Sequence, residues 1–85
     1  MYLNLGQEVL KRRDIIGIFD LDTSTVAKRT RDYLSAAEKA GEVVALGEDL
    51  PRAFVLENRM GEKKQRIYLS QYSNTTLLKR MKDVF

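Results

Sequence analysis

The run Ile15-Ile16-Gly17-Ile18-Phe19 is the tightest constraint on what this chain can fold into. Its side chains are β-branched or aromatic, charges bound it at both ends, and it lacks helical spacing, so it predicts a mostly buried strand. Gly17 would weaken an ordinary strand, and therefore marks a bulge or a place where another backbone comes close. Arg12-Arg13-Asp14 stands at the mouth of the run and Asp20 at its exit. The most basic step of the chain thus leads directly into its most apolar one.

The neighbouring segments read as short elements around that strand. Tyr2, Leu3 and Leu5 begin a strand, Asn4-Leu5-Gly6-Gln7 turns the chain, and Val9 and Leu10 form a second strand that Lys11-Arg12-Arg13 interrupts. The isoleucine strand then pairs antiparallel with its predecessor in a small meander. Asp20-Leu21-Asp22-Thr23-Ser24 is a capping cluster, and Val26, Thr30, Tyr33, Leu34, Ala37 and Ala40 follow at helical spacing. The pattern predicts a helix from about Ser24 to Ala40, closed by Gly41 as a left-handed cap, with Tyr33 and Leu34 packed on the sheet. Val43, Val44 and Leu46 form another strand, and Pro51 keeps its loop out of any central strand. Ala53 to Leu56 and Arg66 to Leu69 make a hairpin whose tip, Lys63-Lys64, is basic. Ser73 or Asn74 caps a last helix carrying Leu77, Leu78 and Met81.

Short strands with one good helix in the middle and a shorter one at the end predict an α+β fold with a small, mainly antiparallel β-sheet. At 85 residues the chain reads as one domain, 1–85, and a domain of that size buries only about 60 to 65% of the surface its unfolded chain exposes. It has no cysteine, so neither a disulfide nor a thiolate-bound zinc offsets that thin margin, and self-association is the most available further source of burial. No stretch approaches the roughly eighteen apolar residues of a membrane span, and the N-terminus lacks the basic-then-apolar build of a signal peptide. The expected location is the cytoplasm, with no membrane partner.

Chemistry is sparse. The chain has no histidine, no phosphate-cradling glycine loop, no zinc-ligand set and no nucleophile with a base, which argues against an enzyme and gives no catalytic residue, no cofactor and no small-molecule substrate. Asp20 and Asp22 are better explained as caps than as magnesium ligands, so no metal site is expected. Fifteen Lys and Arg against twelve Asp and Glu give a mild basic excess that permits nucleic-acid binding without demanding it. Lys11-Arg12-Arg13 is the most informative group. In an extended segment Arg12 and Arg13 point to opposite faces, so one can follow a phosphate backbone while the other pairs with Asp14 or a second subunit. The alternative is a solvated strand end, and spacing leaves the two evenly matched. Lys28, Arg29 and Arg31 on the helix and Lys63, Lys64 and Arg66 at the hairpin read as solvated surface.

One resemblance covers nearly all 85 residues. Tyr2-Leu3-Asn4-Leu5-Gly6, the block from Arg13 to Asp20, and Ile67-Tyr68-Leu69-Ser70 followed by Ser73, Thr76-Leu77 and Lys79-Arg80 are similar in order and spacing to the Firmicute extracellular matrix regulatory proteins, the RemA/RemB family. That resemblance implies a non-enzymatic regulator of biofilm matrix genes that binds double-stranded DNA, with a LytTR-like protomer and a ring-shaped homo-oligomer, an octamer. It also implies DNA-binding arginines at two places. The first, before the isoleucine strand, falls on Arg13, with Arg12 beside it. The second, a pair in the loop before a later strand, falls on Asp49 and Leu50, which leaves Arg52 as the cation of that loop. A carboxylate there repels phosphate, so an oligomeric scaffold or protein-interaction module without DNA binding is the competing expectation.

Overall fold

The computed structural model describes residues 2–21, 28–47 and 50–82. In chain order the elements are strands β1 (Tyr2–Asn4) and β2 (Val9–Lys11), a single 3-10 turn (Arg12–Asp14), β3 (Ile15–Asp20), helix α1 (Lys28–Lys39), β4 (Val43–Ala45), β5 (Ala53–Glu57), β6 (Arg66–Ser70) and helix α2 (Asn74–Lys82). The fold is α+β. β1 and β2 form a separate two-stranded ribbon, and the other strands form a four-stranded sheet in the order β3-β5-β6-β4. All its pairings are antiparallel except β4 with β6.

The ribbon exists because of its leucines. A lone two-stranded hairpin is marginal in water, yet Leu3, Leu5 and Leu10 are almost fully buried. They reach that state by lying over one face of the sheet, against Val55, Tyr68 and Leu77. The expected meander is thereby replaced: the 3-10 turn redirects the chain after β2, and β3 pairs with β5 instead. Alternation along β5 then separates two cores, because Ala53 and Val55 face the ribbon and α2 while Phe54 faces the opposite layer with Ile67, Leu34 and Ala37.

β3 carries the bulge that Gly17 signalled. Ile15 is in register with Glu57 and Gly17 with Leu56, so Ile16 is the extra residue. Two residues three apart ordinarily face opposite sides of a strand. The bulge shifts that parity, and Ile15 and Ile18 both pack on the ribbon-side core. Gly17 also makes room: a Cβ there would stand 2.8 Å from the ring of Phe19, which stacks on Phe54 with centroids 4.8 Å apart. The strand is less buried than its composition predicts, since Ile16 is 60% exposed and Phe19 43% exposed. The cause is position, because β3 lies at the edge of the sheet.

Of the predicted helix, the described part is α1; residues 22–27, including Asp22 and the proposed cap, lie outside the described residues. Its C-terminus ends in a Schellman motif. The Gly41 N–H donates to the Glu38 carbonyl (3.1 Å) and the Glu42 N–H to the Ala37 carbonyl (3.0 Å), with Gly41 at φ +75°. Leu34 packs on the sheet as expected, whereas Tyr33 is partly exposed and its hydroxyl accepts a hydrogen bond from Gln65. At α2 the cap is Ser73, whose Oγ accepts from the Thr76 N–H (3.2 Å). Leu77 is fully buried, so the helix folds back on its own sheet. Arg80 fastens it to the ribbon by donating to the Asn4 carbonyl (3.1 Å) while its guanidinium lies 4.0 Å above the Tyr72 ring.

Candidate nucleic-acid interface

The 3-10 turn changes how the three cations are displayed. Lys11 is still extended (φ −73°, ψ 129°), but Arg12 to Asp14 are wound, and the Ile15 N–H closes the turn on the Arg12 carbonyl. Successive residues of a 3-10 turn are about 120° apart rather than opposed. As a result Lys11, Arg12 and Arg13 do not divide between two faces; together with Tyr2 they line one open hollow of about 570 Å³. Tyr2 arrives there because it is in register with Lys11 across the ribbon.

The turn is held from behind. The Asn58 N–H donates to the Asp14 carbonyl (2.8 Å), which ties it to the loop between β5 and β6. Asp14 lines a second hollow, with Ile16, Asn58, Arg59 and Met60, and Arg13 borders both. Among the described residues, therefore, the lining of the first hollow is cationic without an acid. Beneath the turn, Ile15 pairs with Glu57, a carboxylate only 1% exposed. Glu57 Oε1 accepts from Arg59 Nε (3.1 Å) and from the Tyr68 hydroxyl (3.4 Å). Burial acts to lower the Arg59 pKa, but the Glu57 and Tyr68 charges outweigh it and raise it. Burial, then the Glu57 charge, pushes the Tyr68 hydroxyl above its ordinary value. Arg59 is thus engaged with Glu57 and Tyr68.

Arg52 sits elsewhere. It immediately precedes β5, its N–H donates to the Ser70 carbonyl (2.8 Å), and its own carbonyl accepts from the Leu21 N–H (2.9 Å). Those contacts place it at the Asp20 end of β3, roughly 20 Å from the turn by strand rise. Arg12 and Arg13 are brought together, and Arg52 is not brought to them within one chain. Leu50 is 88% exposed, and Asp49 lies outside the described residues. The other basic groups behave as surface: Lys28 pairs with Asp32 (3.4 Å), and Arg66 with Glu62 (3.3 Å).

Sequence reasoning missed Tyr2, whose proximity follows from the ribbon register. A turn centred on residues 5–8 would have revealed it, since that turn sets Asn4 against Val9 and hence Tyr2 against Lys11. It also missed the Glu57–Tyr68–Arg59 cluster, whose members meet only through the pairing of β5 with β6. Among the described residues no three His, Cys, Asp or Glu side chains gather as a metal site, and no helix is long and apolar enough to cross a membrane. No protein-family model matches the chain, and no curated protein matches it.

Proposed function

We propose that this chain is a cytoplasmic, non-enzymatic DNA-binding regulator of biofilm extracellular-matrix gene expression, of the RemA/RemB kind and nearer RemB, with a LytTR-like protomer. It acts as a ring-shaped homo-oligomer, an octamer, through arginine–phosphate contacts from Arg13, Arg12 and Arg52. The observation that supports this reading best is the convergence of Lys11, Arg12 and Arg13 on one open hollow. Cations that line one hollow can meet the same phosphodiester, which releases counterions from the duplex. A single cluster of this size grips weakly. Repeated at fixed intervals around an assembly, it raises the effective concentration for each next contact.

A second reading, an oligomeric scaffold or protein-interaction module without appreciable DNA binding, is favoured by Asp49 and Leu50 standing where the resemblance implies a pair of arginines. The loop before β5 then offers Arg52 as its cation and, in Asp49, a carboxylate that repels phosphate. An electrophoretic shift on long duplex DNA, run beside light scattering, separates the two. Binding is expected to fall steeply with added salt, and Arg13→Ala to weaken it at least tenfold with little change in assembled mass. An intact oligomer that shifts no DNA at low salt supports the scaffold, and salt-independent binding contradicts the phosphate mechanism.

A further inference from the structure

We propose that two copies of this chain pair edge to edge through β3, antiparallel about a two-fold axis, and that the pairing joins Arg12 and Arg13 of one copy to Arg52 of the partner subunit in a single basic surface. What that surface binds rests on the phosphate reading above; that it forms does not.

The backbone supplies the first reason. Among the described residues β3 has β5 on one side and no strand on the other. Exposed edges are ordinarily blunted by lysine, proline, inward charges or bulges; residues 15–19 carry the Ile16 bulge but no lysine, proline or charge. Ile16 and Phe19 are instead exposed there, 60% and 43%. The opposite edge, β4, has only three residues, so the strand best matched in length to β3 is a second β3.

Charge fixes the direction. Arg12 and Arg13 precede β3 and Asp20 ends it. A parallel pair of β3 strands would set like ends together. The antiparallel pair sets each Asp20 beside the other copy's Lys11-to-Asp14 segment, which is net positive with three cations and one acid. With Ile15 opposite Asp20 of the partner subunit, Ile16 falls opposite Phe19 of the partner subunit, so the two exposed apolar residues cover one another. Beside Phe19, a cleft of about 370 Å³ lined by Arg29, Tyr33, Phe54 and Leu56 is available to the incoming side chain.

The same pairing repairs the separation of the site. Arg52 adjoins Ala53, which is in register with Asp20. In the pair, β5 of one copy lies two strand spacings from β3 of the other, about 10 Å. Arg52 of the partner subunit therefore comes within about 10 Å of the basic turn, half the distance across a single chain.

Sedimentation equilibrium on the full chain tests the pairing. Ile16→Lys adds an edge charge at an exposed position and is expected to at least halve the assembled mass, with an unchanged circular dichroism spectrum. Leu78→Lys, on the exposed side of α2, is expected to leave the mass unaltered. Because the chain has no cysteine, the double variant Ile16→Cys with Phe19→Cys should give a disulfide-linked dimer on mild oxidation. A wild-type mass retained by Ile16→Lys, a monomeric wild type, or absence of the crosslinked dimer overturns the pairing. A chain that assembles and crosslinks as described but shifts no DNA at low salt overturns the phosphate reading and upholds the pairing.

Discussion

Tyr68 shows how one side chain links the core to the basic turn. It is 3% exposed, and its hydroxyl donates to Glu57 Oε1 and accepts from Arg59. A charged phenolate in that place loses hydration and faces the Glu57 carboxylate, which is why its pKa is raised. The folded chain therefore holds this proton at pH values where the unfolded chain has released it. The resulting contribution to stability is complete below about pH 10, the unfolded tyrosine value, and is lost as pH rises through the higher folded value. Urea denaturation from pH 8 to pH 11 is expected to show stability falling above about pH 10, and Tyr68→Phe should flatten that fall. An equal slope in both proteins removes Tyr68 from the account. At the same scale, Gly17 was legible as a bulge from its place in an apolar run. Its second role, leaving room for the Phe19 ring, depended on where Phe54 stood across the sheet.

At the scale of elements, α2 is short and owes its position to a cap and one buried face. Ser73 Oγ satisfies the Thr76 N–H and meets the Thr76 hydroxyl at 2.9 Å, and the Leu77 N–H already donates to the Ser73 carbonyl (3.0 Å). Ser73→Ala is expected to cost about 1 kcal/mol of unfolding free energy, measured by urea titration at constant m-value. No loss would assign the start of the helix to packing of Leu77 alone. Capping residues and helical spacing are local signals, so α2 and the described part of α1 were legible in the sequence, as were the Gly41 stop and the β5–β6 hairpin. The meander was not. Sequence proximity favoured pairing β2 with β3, and the Arg12–Asp14 turn between them has no local signature that distinguishes it from extended chain.

For the whole molecule, a thin core and an uncovered edge act in the same direction. If association contributes to stability, the thermal midpoint depends on protein concentration by mass action. For a dimerising domain of this length the expected rise is about 4 °C per tenfold increase in concentration, read by scanning calorimetry. A concentration-independent midpoint would mean that the folded subunit is stable alone. The sequence by itself determined the α+β class, most of the strands and helices and the identity of the basic residues, because these follow from period, caps and composition within a few neighbouring residues. Only the tertiary structure decided that β3 is an edge, that Lys11, Arg12 and Arg13 share one hollow with Tyr2, and that Arg52 stands at the far end of the strand. Those facts depend on which strand pairs with which, and strand pairing is a contest between distant segments that no local pattern records.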